Sequence, residues 1–247
     1  MTLDLVSCTY GYRRRRAPVL RNLTYQLPEG LTILLGPNGA GKSTMLKLAS
    51  SVITPRSGTV TFNGLKAGSK AYRKVVAWMP QDIIPMSGLT VREYVAYVGW
   101  LKGMNRSDAW RQARSALSRV ELASKADMKT NQLSGGQLRR VGVAGALVHE
   151  ARVLLLDEPT AGMDPQQRRV FRDILNSLAH DVQVLLSTHD IADLAEEADH
   201  VTVLESGHIL HHGTTASFLA HTPPDAIAGR AAEAAYTALL ARCGSDY

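Results

Sequence analysis

Cysteine is scarce in this 247-residue chain, where Cys8 and Cys243 stand near opposite ends. That rules out a disulfide framework or a CxxC metal site, and reduced thiols in a cytosol are the simpler reading. Long apolar runs are missing as well. The longest candidates, such as Tyr94 to Leu101, stop after about two helical turns, well short of the ~20 residues that cross a bilayer. If the chain serves a membrane, another chain must do the spanning. The opening MTLDLVSCTY has neither the basic n-region nor the apolar h-region of a signal peptide, so the chain is expected to stay where it is made. There is no internal repeat, no low-complexity tract and no sustained heptad. The formal charge is +6, but four of the positive charges fall in the run Arg13 to Arg16. No aromatic-interleaved basic stretch accompanies that run, so nucleic acid is not an expected partner. A solvated hairpin loop is the plain reading of the run, with anionic lipid headgroups or a partner's acidic face as the alternatives.

What is present is a series of short apolar runs that end in polar residues. LTILLG at Leu31 to Gly36 is closed by Gly-Pro-Asn-Gly, and helical spacing follows through Met45, Leu46, Leu48 and Ala49. This predicts strand, loop and helix. VVAWMP at Val75 to Pro80, ARVLLLDEP at Ala151 to Pro159 and VQVLLSTH at Val182 to His189 are similar β-rich runs. Together they predict a parallel sheet buried on both faces, with ligand-binding groups gathered at the strands' C-terminal ends. Alternation in TVTFNG at Thr59 to Gly64, and the run Val19 to Leu27, predict antiparallel strands at one edge. From Thr90 to Val120 the pattern turns helical, an insertion between Gln81 and the LSGGQ motif at Leu133 to Gln137. The tail after Pro223-Pro224 carries one alanine-rich helix, about Arg230 to Arg242.

The candidate chemistry sits in the loops. GPNGAGKST comprises Gly36, Pro37, Asn38, Gly39, Ala40, Gly41, Lys42, Ser43 and Thr44. Its glycines let backbone N–H groups wrap a nucleotide's phosphates, and the helix that follows adds its dipole. Lys42 is placed to put a charge between β- and γ-phosphate, and Ser43 to ligate Mg2+. VLLLDEP sets Asp157 and Glu158 just past a buried strand, the first suited to the Mg2+ shell and the second to polarising an attacking water. Gln81 ends a strand and opens the helical insertion, so its amide can touch Mg2+ or water. His189 also follows a strand, and its imidazole can donate to a γ-phosphate oxygen. His211 and His212 read as a solvated pair at a strand end. Ser134, Gly135, Gly136 and Gln137 open a helix expected to run to about Glu150. Ser134 is either that helix's N-cap or, with the glycine N–H groups, a second grip on phosphate.

Tyr10, GPNGAGKST, Gln81, LSGGQ, VLLLDEP, AGMDP at Ala161 to Pro165 and STHD at Ser187 to Asp190 occur in an order that resembles the ATP-binding subunits of ABC transporters. The resemblance covers most of the chain. It implies an α/β fold, a P-loop NTPase (RecA-like) parallel-sheet core with an antiparallel β edge and an inserted α-helical subdomain. Residues 1–81 and 150–213 would form the core, 82–149 the helical subdomain carrying the signature motif, and 214–247 the tail. It implies ATP and Mg2+, with Ser43, Gln81 and Asp157 near the metal and Lys42, Gln81, Glu158 and His189 at the reacting phosphate. It assigns adenine stacking to Tyr10, with Tyr12 two residues away as the competitor. Ser134 to Gln137 and Asp164 would face the ATP held by a second copy, a homodimer being expected, although AGMDP stands where SALD is commonest. An integral-membrane permease is the other implied partner, and the expected place is the cytoplasmic face of the cell membrane. Asp82 to Met104, with Ile83, Ile84, Met86, Val95 and Trp100, is the expected permease groove, the alternative being that these residues, Val95 and Trp100 above all, are the core of a small helical subdomain. The features resemble exporters of drugs, antibiotics or lipids; an importer ATPase and a soluble ABC ATPase acting on ribosomes or DNA are the alternatives.

Overall fold

The computed structural model describes residues 1–13, 17–189, 191, 198–227 and 229–244. Arg14 to Arg16 and Asp190, named above, lie outside the described residues. In chain order, β1 (Leu3–Tyr10), β2 (Leu20–Leu27), β3 (Leu31–Leu35) and α1 (Lys42–Ala49) lead into β4 (Ser57–Phe62), β5 (Leu65–Lys66), α2 (Lys70–Val75) and β6 (Val76–Met79). Three helices follow: α3 (Val91–Leu101), α4 (Arg106–Arg119) and α5 (Gly135–Leu147). The rest of the described chain comprises β7 (Val153–Asp157), α6 (Pro165–Ala179), β8 (Gln183–Thr188), β9 (His200–Glu205), β10 (His208–Thr214), α7 (Thr215–Leu219) and α8 (Ala231–Gly244).

One sheet runs β10-β9-β3-β8-β7-β6, parallel throughout except where β10 returns beside β9. Its inner strands LTILL, VLLLD and QVLLST are buried at every position, as continuous apolar strands covered on both faces must be. Side-chain alternation then splits them between two cores. Val153 and Leu155 pack with Met45 and Leu46 of α1 and with Leu3 and Leu5 of the second sheet. Leu154 and Leu156 pack with Leu147 of α5 and Phe171 of α6. The second sheet is antiparallel, in the order β2-β1-β4-β5, and its strand LRNLTYQL buries Leu20, Leu23, Tyr25 and Leu27 while exposing the residues between.

Two helix ends differ from the sequence expectation. The helix opened by LSGGQ stops at Leu147 rather than near Glu150, whose φ of 59° is left-handed and cannot continue a right-handed turn. The tail helix is α8, Ala231–Gly244 rather than Arg230 to Arg242. The β9–β10 hairpin was not foreseen as a pair of strands. Its turn is Ser206-Gly207, with φ of 47° and 82°, the positive pair that a tight hairpin requires. No helix among the described residues is long and apolar enough to cross a membrane.

The parallel registers put the functional loops at one level. Leu35 pairs with Thr188, Asp157 with Ser187, and Met79 with Leu156. The chain therefore leaves β3 at Gly36, β7 at Glu158, β8 at His189 and β6 at Pro80-Gln81 along the same edge.

Candidate active site

At that edge lies a cavity of about 500 Å3. Pro37, Asn38, Gly39, Gly41, Lys42, Ser43 and Thr44 form one wall, and Gln81, Glu158 and His189 close the other. The loop can wrap because of its glycines. Gly39 has a φ of 86° with open space where a side chain would stand, and Gly41, at φ 108°, would bring a Cβ within 2.8 Å of Leu20. Gly36 and Ala40 support the loop from behind rather than line it: Ala40 is buried and Gly36 lies against the carbonyl of Leu204.

Lys42 is buried, and its ammonium donates to the carbonyls of Gly36 at 2.6 Å and Pro37 at 3.2 Å. Burial pulls its pKa down, and the carboxylates of Glu158 and Asp157 pull it back up. Asp157 lies behind the cavity wall. Ser43 Oγ donates to its Oδ1 at 2.9 Å, and Ser187 Oγ donates to the same atom at 2.8 Å. Ser43 and Asp157 are hard oxygen donors of the kind that suits Mg2+, which keeps few protein ligands and shares the rest with water and phosphate. No group of three or more His, Cys, Asp or Glu among the described residues could hold a metal by itself.

Glu158 stands at φ 45°, a left-handed conformation unusual for a residue with a side chain. Its N–H is shared between the carbonyl and the hydroxyl of Ser187, each at 3.1 Å. Its Oε2 lies 3.2 Å from His189 Nδ1, so the two groups form one unit in the cavity wall.

Not every sequence candidate is brought to this cavity. Tyr12, not Tyr10, lines it, and Tyr12 Oη lies 3.1 Å from Thr44 Oγ1. Tyr10 is half-buried against the core shared with α1 and meets Tyr12 edge-on at 5.2 Å. The difference has a local cause, because β1 ends at Tyr10 and Tyr12 lies in the bend beyond it, where the two-residue period of a strand no longer applies. Ser134, Gly135, Gly136, Gln137 and Asp164 do not line the cavity either. Within their own chain they are helix starts. Ser134 and Gln137 form a capping box at the head of α5, and Asp164 accepts from the N–H of Gln167 at 2.8 Å to cap α6.

Sequence reasoning also missed two residues. Ser187 stands in the STHD motif, and its pairing with Asp157 follows from setting that motif in register with VLLLDEP. Arg139, on the second turn of α5, donates to the carbonyls of Gln81 at 2.7 Å and Glu158 at 3.3 Å. No local pattern in the sequence announces that bridge.

A groove of about 480 Å3 lies behind Gln81, between the segment after β6 and helices α3 and α5. Ile84 and Met86 line it, 77% and 39% exposed. Two expected lining residues, Val95 and Trp100, need correction, while Ile83 lines the groove as expected. Val95 is fully buried in the core, because it lies on the face of α3 that packs inward. Ile83 lines the groove but also packs against that core. Trp100 faces a different cleft, between α3 and α4, with Tyr97 and Trp110.

Residues 20–161 match the family described as ABC transporter. The chain belongs to that family. It is 32% identical to the uncharacterized ABC transporter ATP-binding protein YxlF of Bacillus subtilis over 212 residues, 85% of this chain and 70% of YxlF. It is 35% identical to the Nod factor export ATP-binding protein I of Rhizobium meliloti over 218 residues, 86% of this chain and 64% of that protein. Identity is also 35% over 205 residues with the much longer mouse ATP-binding cassette sub-family A member 17, 81% of this chain but 12% of that one. Among solved structures, the dimeric ABC transporter cassette MJ0796 superposes with a TM-score of 0.75 at 26% identity, over 86% of this chain and 98% of that one. The same cassette bound to ADP and Pi after hydrolysis scores 0.75 at 27% identity. ABC cassettes bind and hydrolyse ATP, and this chain is an ATPase of that kind.

Proposed function

We propose that two copies of this chain close around two ATP·Mg2+, and that closure powers export of a drug, antibiotic or lipid-like compound through a separate permease. The chain would sit on the cytoplasmic face of the membrane, held there by that permease. One observation carries the reading: the cavity gathers Lys42, Ser43, Gln81, Glu158 and His189, while Ser134 to Gln137 and Asp164 stand outside it. A single chain thus supplies half of a site. Residues 1–81 and 150–213 form the phosphate-binding half, 82–149 carry the signature motif to the other copy, and 214–247 are the tail.

In this reading Tyr12 stacks on adenine, and the backbone of Pro37 to Thr44 with Lys42 holds the phosphates. Ser43, Asp157 and Gln81 are the residues that would hold Mg2+. When bound, the ion offsets the charge that builds on the β- and γ-phosphate oxygens. Glu158 orients the attacking water and takes its proton. His189 keeps Nδ1 on Glu158 and turns Nε2 to the γ-phosphate. Export is supported by the sequence features AGMDP and LTVREYVAYVGWLKG, and by the likeness to a protein named for Nod factor export.

The shared site is tested by mixing. Lys42→Ala chains lack a phosphate grip and Ser134→Arg chains lack a usable signature, so each alone should be inactive. A mixed pair holds one complete site, and the mixture should regain part of the parent's ATPase rate. No recovery from two folded variants would count against a site built from two chains.

Adenine recognition gives a second expected outcome. Tyr12→Ala should weaken ATP binding by about 1 to 2 kcal/mol of lost stacking, measured with a fluorescent nucleotide, while Tyr12→Phe keeps the parent affinity. Tyr10→Ala should lower the melting temperature instead, since its ring packs on the core. A larger affinity loss at Tyr10 would return adenine to that residue.

A further inference from the structure

One buried hydroxyl touches both of the adjacent carboxylate residues. Ser187 is fully buried, and its side chain makes two hydrogen bonds of opposite sense. Its single proton goes to Asp157 Oδ1 at 2.8 Å, and its lone pair accepts the N–H of Glu158 at 3.1 Å. The two bonds together fix the hydroxyl's rotor, because turning the proton toward Glu158 would leave that N–H facing a hydrogen. The same arrangement fixes two neighbours with different tasks. Asp157 is turned so that Oδ1 receives both Ser43 and Ser187. Glu158 is held at φ 45°, where a side-chain-bearing residue does not rest without local support.

We propose that Ser187 is the positioning residue that keeps Asp157 and Glu158 in their separate roles. The inference rests on the metal-holding role proposed for Asp157. Ser43 would offer a lone pair to the cation, so its placement would be set by the metal as well as by Asp157, whereas Ser187, buried behind the carboxylate, is a donor whose position does not depend on the cation. Without that donor the carboxylate would be held less firmly, and metal affinity would fall as it does when outer-shell partners of a ligand are removed. The backbone carbonyl of Ser187 also holds Glu158 N–H and survives any substitution, so the larger effect is expected at Asp157.

The experiment follows Mn2+ binding to the ATP-loaded full chain by electron paramagnetic resonance, beside ATP affinity in EDTA and the Mg2+ dependence of hydrolysis. Ser187→Ala should weaken Mn2+ binding by about tenfold and raise the Mg2+ needed for half-maximal rate to match. ATP affinity in EDTA should stay at the parent value. Ser187→Thr keeps a hydroxyl and should restore the parent metal dependence. Ser187→Cys is close in size and a weak donor, and should resemble Ser187→Ala; it also serves if the alanine variant fails to fold. Parent-like Mn2+ affinity in Ser187→Ala or Ser187→Cys, even with a lowered melting temperature, overturns the proposal, as does a threonine variant that fails to restore metal binding. Asp157→Asn separates the two layers: unchanged Mn2+ binding there sinks the role given to Asp157, whereas a loss there with no loss at Ser187 sinks only the role given to Ser187.

Discussion

Glu158→Gln should reduce ATP hydrolysis by ~10² to 10⁴ while leaving ATP binding intact. The amide keeps the size of the carboxylate, and the two contacts from Glu158 N–H to Ser187 are unaffected by the side-chain change. What is lost is the ability to take a proton from water. The neutral oxygen can still accept from His189, so the cavity wall should keep its shape. In the proposed pair, closure depends on binding and opening on hydrolysis, so the variant should also accumulate as an ATP-bound pair, seen as an earlier peak on a sizing column. A variant that hydrolyses at half the parent rate would remove Glu158 from the role of base. One that binds ATP but stays monomeric, even with its membrane partner, would argue against the sandwich.

Ile84→Asp should abolish co-purification with the permease and leave the isolated chain folded and able to hydrolyse ATP. Ile84 is 77% exposed in the groove behind Gln81, so a carboxylate there stays in water in the free chain. On docking, that charge would have to be buried against an apolar helix, which costs several kcal/mol if it is left unpaired. The controls flank it. Trp100→Asp lies on the other side of α3, in the cleft shared with Trp110, and should leave docking intact. Ile83→Asp should destabilise the chain itself, since Ile83 packs against the core. Normal docking by Ile84→Asp, or its unfolding, would end the groove assignment.

The parts of the fold that were legible in the sequence are those where one physical constraint dominates. Strands buried on both faces have to be continuous apolar runs, so LTILLG, VLLLD and VQVLLST stood out without help from their neighbours. Phosphate binding by backbone needs glycines at fixed places, so the loop Gly36 to Thr44 was equally plain. Legibility failed where two constraints overlap. Val95 and Ile84 lie in the same sparsely charged segment, Asp82 to Met104, and only the packing of α3 and α5 tells a core residue from a groove residue. Tyr10 and Tyr12 would share a face in a regular strand, but β1 ends at Tyr10 and Tyr12 lies in the bend that follows, a boundary that no pattern of apolar residues marks. Ser187 and Arg139 depend on contacts 30 and 58 residues away along the chain, beyond the reach of any local pattern.

The helix caps of α5 and α6 bear on how long a pair of chains can last. Ser134 already accepts the N–H of Gln137 at 3.3 Å, and Asp164 that of Gln167 at 2.8 Å, so each side chain is held by its own helix before a second copy arrives. In the proposed pair, hydrogen bonds made by these groups across the interface would contribute only about 0.5 to 1.5 kcal/mol each. Little adhesion then belongs to the protein surfaces themselves. In the proposed pair the nucleotide would be the adhesive, and the lifetime of the closed state would be set by how long its terminal phosphate remains attached.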